Sequence, residues 1–313
     1  MSISIGIDCM PGQYRVCRVE QGQLAEFHRF ETTDELLAAV RQLCARYPEP
    51  TIVVALDGAT PFVSLAALTD DQLERPGQRS LPTPPFSELT SILRTLRALS
   101  SQSYCAPSVE YLPSVPPHRC LLRPALGSAG EVCAVVALLH FMREQQASWE
   151  EMNFYCLNAG AEGSSVLVIV NGQIVNGNNL LPGSSSSVAS SYLARLASAG
   201  SADGQPEPHV LPPSVLAEAF WEGLTQELAG LLALHHLEDL VVLGARGGEL
   251  VERLAETYQV YRFPHAGTER EGYERALGAA LLGEGLEAPG SAREVIEHLQ
   301  LRQARRSLLA PVV

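Results

Sequence analysis

Three turns in this sequence carry residue types suited to phosphate chemistry. The first is Asp8-Cys9-Met10-Pro11-Gly12, which follows an apolar stretch at residues 3–7. A carboxylate at a strand end can hold a hydrated Mg2+ while backbone N–H groups of the adjoining turn, here around Gly12, face phosphate oxygens. An Asp before Pro-Gly equally serves a plain structural turn. The second is Asn158-Ala159-Gly160-Ala161-Glu162-Gly163-Ser164. Gly160 and Gly163, flanked by Asn158 and Ser164, would let backbone approach a phosphate closely; the same residues also make an ordinary glycine-rich hairpin. The third is Leu243-Gly244-Ala245-Arg246-Gly247-Gly248. Gly244, Gly247 and Gly248 could accept an adenosine ring or ribose against the backbone, or simply form a compact strand-to-helix junction. Phosphoryl transfer needs positioning and charge neutralisation more than covalent help. Arg119 and Arg123 are the candidate catalytic cations beside Asp8, and Asp57, next to Gly58, could also face a cleft. Each also reads as a solvated surface or turn residue.

The elements that must position these turns show an internal repeat. With an offset of 150 residues, Ile7-Asp8 faces Leu157-Asn158, and Gln21-Gly22-Gln23-Leu24 faces Asn171-Gly172-Gln173-Ile174. Each copy reads as a strand ending in a polar residue, a tight turn, a second strand, a glycine turn and a third strand. Such a pair places one phosphate turn in each of two related lobes. After the first meander, Leu36, Leu37, Val40, Leu43 and Cys44 recur at helical spacing, with Thr32 or Thr33 as cap. Further helices are expected at 87–102, 127–143, 184–199, 214–235, 270–284 and 291–309, and strands at 51–56, 238–243 and 259–262. Residues 60–86 and 200–213 read as irregular, and 108–124 as extended and broken by prolines. The alternation of strands and helices implies mixed sheets covered by helices. The expected division is a lobe at 1–150, a second lobe at 151–290, and a closing helix at 291–313 packed back on the first lobe.

The chain has 313 residues, 46% of them hydrophobic and 18% charged, enough for two cores. A net charge of −13 argues against a nucleic-acid surface, which needs a basic stripe. The N-terminus has no signal-peptide pattern, and the apolar runs are too short for a membrane span, so a cytoplasmic location is expected. The seven cysteines, at 9, 17, 44, 105, 120, 133 and 156, contain no CxxC and read as free thiols rather than a zinc or iron–sulfur set.

The order of motifs resembles the superfamily of actin, hexokinase, acetate kinase and the heat-shock chaperone ATPases. More closely, the chain resembles the predicted butyrate kinase family, a domain of unknown function. That resemblance rests on residues 118–135 (HRCLLRPALGSAGEVCAV), 153–183, 267–285 (GTEREGYERALGAALLGEG) and 295–308. It implies a two-lobed α/β actin-like ATPase (ribonuclease H-like) fold. It also implies ATP and Mg2+ as cofactors, with Asp8 as the metal residue, and a short carboxylate as acceptor, with a homodimer as one assembly. A carboxylate, already ionised at neutral pH with a pKa of about 4–5, needs no general base, whereas a sugar hydroxyl does. The sequence departs from the family at Gly127-Ser128-Ala129-Gly130-Glu131, where the family has Gly-Thr-Ala-Asp-Lys. It departs again at Asn158, where kinases of the superfamily carry an acid. Both departures fit the alternative of a non-catalytic nucleotide-binding or scaffold protein.

Overall fold

Ile5, Ile7 and Cys9 alternate with Ser4, Gly6 and Asp8, so the first strand has one apolar face and one mixed face. The computed structural model describes residues 2–10, 12–47, 49–56, 58, 60–73, 86–123, 125–160, 163–180, 213–244 and 247–304. Strands β1 (Ile3–Met10), β2 (Gln13–Glu20), β3 (Gln23–Phe30), β4 (Thr51–Leu56), β5 (Val63–Ser64) and β6 (Ser103–Cys105) form one sheet, in the order β3-β2-β1-β4-β6-β5. Strands β7 (Phe154–Gly160), β8 (Gly163–Val170), β9 (Gln173–Leu180), β10 (Asp239–Leu243) and β11 (Gln259–Arg262) form the other, in the order β11-β10-β7-β8-β9. In both, an antiparallel meander continues into parallel strands through its first strand.

The repeat holds down to single backbone features. Asp8 faces Arg15 across β1–β2, and Asn158 faces Ser165 across β7–β8. The register of β2 against β3 shifts between Arg18 and Val19, and that of β8 against β9 between Val168 and Ile169. The following turns carry φ values of 54° and 75° at Gln21 and Gly22, and 49° and 71° at Asn171 and Gly172. A bulge inserts an unpaired residue and bends the strand. Two unrelated meanders have no reason to bulge at equivalent residues, so the lobes are copies of one plan.

Helices are α1 (Thr33–Arg46), α2 (Asp70–Leu73), α3 (Phe86–Leu99), α4 (Pro117–Leu122), α5 (Ala129–Glu144), α6 (Pro213–His235), α7 (Gly247–Leu254), α8 (Glu274–Glu287) and α9 (Ser291–His298). The outer face of the first sheet, with Ile5, Ile7 and Val16, buries against Leu36 and Val40 of α1 and Ile92 and Leu96 of α3. The outer face of the second, with Tyr155, Leu157 and Val166, buries against Leu224 and Leu228 of α6 and Leu250 of α7. Between the sheets lies a third core, in which Cys17, Val53, Cys156 and Leu167 meet residues of both α5 and α8. α8 lies directly on β1: a Cβ at Gly6 would fall 2.1 Å from the Ala276 carbonyl oxygen. This is the expected fold, two mixed sheets flanked by helices, with a pair of central helices added between them.

Several local expectations are corrected. Of the stretch expected to be extended at 108–124, the described residues 108–123 instead hold a 3-10 turn at Val109–Tyr111 and α4. Pro117 starts α4, a position where its missing N–H costs nothing. The helix expected at 291–309 ends at His298, because Gln300 takes a left-handed φ of 54° before a 3-10 turn at Leu301–Gln303. Within 60–86, residues 60–73 contain β5, a 3-10 turn and α2 rather than an irregular insertion. The three-residue strand β6 had no sequence signal of its own. Residues 184–199, most of 200–213, Asp57 and residues 305–313 lie outside the described residues.

Candidate functional site

β1 and β4 run parallel, as do β7 and β10, and the carboxyl ends of such strands are where open α/β sheets hold ligands. Asp8 sits at that end of β1, beside the turn with Gly12. Asn158 sits at the matching end of β7, paired with Leu243 of β10 and Ser165 of β8. Gly160, Gly163 and Ser164 form the hairpin beyond Asn158, and Gly244 follows β10 with Gly247 and Gly248 opening α7. The structure thus brings the three turns to the strand ends of the two sheets. Gly12, with φ +70°, and Gly248 face open space.

Between the two turns lies a buried ionic cluster that the sequence did not reveal as a unit. Asp8, 2% exposed, has Arg15 Nη1 3.6 Å from its Oδ2. Glu131, in the first turn of α5, forms an ion pair with Arg275 at the start of α8. Glu131 is buried and Arg275 partly so, with side-chain exposures of 7% and 12%. The Arg275 side chain runs over Gly130, where a Cβ would lie 2.9 Å from its Cδ. Its Nη1 donates to Met10 Sδ at 3.2 Å, the last residue of β1. Glu131 also accepts from Ser128 N–H at 2.5 Å, from the Ser128 hydroxyl, and from Asn158 Nδ2 at 3.5 Å. Burial pushes the Glu131 carboxyl up, but Arg275 and the Ser128 hydrogen bonds outweigh it and hold it below the usual carboxylate range. Glu274, beside Arg275 and 3% exposed, accepts from Gly272 N–H at 2.9 Å; burial raises its pKa. Arg275 therefore reaches both meanders, touching the end of β1 directly and the end of β7 through Glu131 and Asn158.

Arg119 and Arg123 are engaged elsewhere. Arg119 donates to the Val175 carbonyl on β9, and Arg123 Nη2 pairs with Glu227 of α6 at 2.9 Å. These contacts pin α4 and the segment after it to the second sheet and its covering helix. Arg15 had a readable signal: Asp8 and Arg15 are equidistant from the first hairpin turn, so antiparallel pairing sets them opposite one another. Arg275 had none: it closes the charged run at residues 269–275. His235 at the end of α6 meets Asn176 at 3.2 Å, as a polar helix end would. The seven cysteines are free thiols, five of them buried.

Asp8 is a single buried carboxylate with a guanidinium 3.6 Å away, and no group of three His, Cys, Asp or Glu side chains that could hold a metal ion stands among the described residues. Two partly buried arginines, Arg15 and Arg275, with side-chain exposures of 17% and 12%, stand here beside the carboxylates of Asp8, Glu131 and Glu274. No helix among the described residues is long and apolar enough to cross a membrane.

Solved structures of three kinases are similar to this chain. An acetate kinase from Entamoeba histolytica is similar over 91% of this chain and 100% of its own, with 9% identity and a TM-score of 0.52. An inorganic polyphosphate/ATP-glucomannokinase from Arthrobacter sp. strain KM has 14% identity and a TM-score of 0.46, covering 90% of this chain and 98% of its own. A ROK family glucokinase from Streptomyces griseus has 13% identity and a TM-score of 0.43, covering 90% and 99%. At these identities the acetate kinase likeness shows the fold, that of the actin-like ATPases. No curated protein matches the sequence. One family model matches residues 6–203, more than half of the chain, and on that match the chain belongs to the family described as protein of unknown function, DUF1464.

Proposed function

We propose that this protein is an ATP-dependent small-molecule kinase with a short carboxylate as acceptor, in the manner of a butyrate kinase. The observation that supports it most is a pair of partly buried arginines, Arg15 and Arg275, beside Asp8 and Glu131 near the strand ends that carry the duplicated glycine turns. Guanidinium forks and turn N–H groups are the groups that neutralise a triphosphate in an otherwise acidic protein. The nucleoside would lie along Gly244, Gly247 and Gly248, and the phosphates between Gly12 and the Gly160–Gly163 hairpin. Mg2+ would arrive on the phosphates rather than be held by Asp8. Asp8 and Glu131 each face an arginine. That commitment suits an acceptor that arrives ionised and asks for no proton transfer.

The test has two parts. Calorimetric titration with ATP measures binding, and coupled ADP release with acetate, propionate and butyrate measures turnover. Acceptor-dependent ADP release is the expected result; ATP binding without it would exclude the kinase reading. A specific observation favours that second outcome: Asn158 stands where the repeat places the partner of Asp8, and it is turned toward Glu131. A protein of this kind would bind nucleotide and act as a scaffold or regulator.

A further inference from the structure

The end of the two sheets away from the candidate site carries the turns after β2 and β8, since Glu20 pairs with Ile3 at the start of β1 and Ile169 with Phe154 at the start of β7. A histidine covers each turn. His298, the last residue of α9, sets its Nε2 2.7 Å from the Asn171 carbonyl oxygen and stacks on Trp149 with ring centroids 3.9 Å apart. His140, near the end of α5, lies against Gly22: a Cβ there would fall 3.7 Å from its Cε1 and 4.0 Å from its Nε2. His140 is only 2% exposed, whereas His298 is partly open to solvent. α9 connects the two rings, because Ser291 at its first position has its hydroxyl 3.1 Å from His140 Nδ1. Gly22 is gripped from α8 as well, where Glu284 Oε1 accepts its N–H at 2.6 Å.

This network is one proton short of complete. Ser291 has a single hydroxyl proton, which it donates to the carboxylate of Glu144. His140 Nδ1 must then donate to the Ser291 oxygen. A neutral ring has no proton left for Nε2, on the side of Gly22, and only the imidazolium donates at both edges. Burial opposes that charged form and outweighs Glu144 and the Gly22 backbone, which favour it, so the ring's pKa lies below its ordinary 6.5. A conformation in which the ring reaches water takes the proton more readily, and acid favours that conformation.

We propose that His140 is a proton-sensitive clamp, which holds the first glycine turn to α5 and α9 while its ring is neutral and releases the turn when the ring takes up a proton. The clamp's contribution to stability is present above the ordinary value of 6.5 and is lost as pH falls through the lower folded value. The ionisable groups around it are Glu144 on α5, which reaches it through Ser291 of α9, and Glu284 on α8, which reaches it through Gly22. Glu284 has the opposite sign. Burial raises its pKa, so falling pH relieves a buried charge and strengthens that half of the grip. The second turn supplies a control, because the Gly172 N–H donates to the Met152 carbonyl at 2.9 Å, a group that does not titrate. The clamp does not depend on the nucleotide reading of the cleft.

The experiment follows the His140 ring resonance and backbone amide exchange by NMR in the full chain, from about pH 8 to about pH 5, the range in which histidine changes charge. Protection of the Gly22 amide, corrected for the intrinsic exchange rate, is expected to fall about five-fold as the ring titrates, the scale of one net hydrogen bond. Protection of the Gly172 amide is expected to hold. His140→Gln keeps a hydrogen-bonding group that cannot take the proton, and is expected to abolish the pH dependence at Gly22. Glu284→Gln is expected to leave it in place. Thermal unfolding checks that each variant is folded, and the titration of the unaltered protein decides the matter where one is not. The clamp is overturned if Gly22 protection stays flat or rises as the ring titrates, or if Gly172 loses protection equally. It is overturned also if His140→Gln shows the same fall, if Glu284→Gln abolishes it, or if the ring does not titrate before the protein unfolds.

Discussion

Gly278 is the point where the two central helices come closest, and replacing it tests the whole interlobe arrangement. A Cβ built at Gly278 on α8 would lie 1.6 Å from the carbonyl oxygen of Cys133 on α5, and 2.4 Å from its carbonyl carbon. Both atoms are backbone, so no side chain can rotate away. A carbon needs about 3.4 Å or more from such an atom, so the helices must part by well over an ångström. A radial gap of about 0.5–1 Å already forfeits a quarter to a half of each dispersion contact along the seam. Overpacking of this kind costs about 1–3 kcal/mol, and a forced backbone shift belongs at the upper end. Against that stands a gain of about 1 kcal/mol from replacing a mid-helix glycine with alanine. The net expectation for Gly278→Ala is a loss of about 2 kcal/mol, or about 4–8 °C in Tm. Gly230, on α6, is the control: it is exposed and a Cβ there meets nothing within 4 Å. Gly230→Ala should raise stability by about 0.5–1 kcal/mol. Thermal and guanidinium unfolding of the two variants give the comparison. Equal effects, or a neutral Gly278→Ala, would refute the close crossing of α5 and α8 and with it the placement of Arg275 beside Glu131.

Three further outcomes follow from named contacts. Thr32→Ala removes half of the capping box of α1, in which Glu35 N–H donates to Thr32 Oγ1 at 3.3 Å and Thr32 N–H to Glu35 Oε2 at 3.2 Å; it should cost about 1 kcal/mol by urea unfolding. Glu131 has its pKa lowered in the folded protein, so the stability it contributes is present above its ordinary pKa of 4.5 and is lost as pH falls through the folded value. Acid titration of stability should therefore be shallower below pH 4.5 in Glu131→Gln than in the unaltered protein; identical slopes would refute the assignment. Arg123→Met breaks a partly exposed pair with Glu227 and should lower stability by about 0.2–1 kcal/mol while leaving ATP affinity and acceptor-dependent ADP release unchanged. Loss of ADP release without loss of ATP binding would restore Arg123 as a catalytic cation.

The parts of the fold that were legible in sequence are those whose signals are local. Leu36, Leu37, Val40 and Leu43 define α1 by spacing alone, and Thr32 caps it. The strands at Thr51–Leu56 and Gln259–Arg262 stand where β-branched and aromatic residues cluster. The duplicated meander was legible because a glycine turn and a polar strand end recur in register. The site was not, because its closing contact joins residues 265 apart, Met10 and Arg275. Arg119, Arg123 and Arg275 look alike on paper, each in or beside a short run of polar residues. Their partners separate them: Arg275 on α8 meets Met10 and Glu131, whereas Arg119 and Arg123 bond to β9 and α6. Ser128 and Glu131 were visible as a departure from a family pattern, but their partner on α8 was not.

The duplication also shows what has been altered at the cleft. At equivalent positions the first copy carries the ion pair Asp8 and Arg15, and the second carries the neutral pair Asn158 and Ser165. A symmetric ancestor with acids in both copies would place two carboxylates against one triphosphate, tolerable only with a metal between them. Replacing the second acid by Asn removes that requirement on one side. The charge that remains on that side comes from Glu131, and Arg275 answers it from the opposite helix.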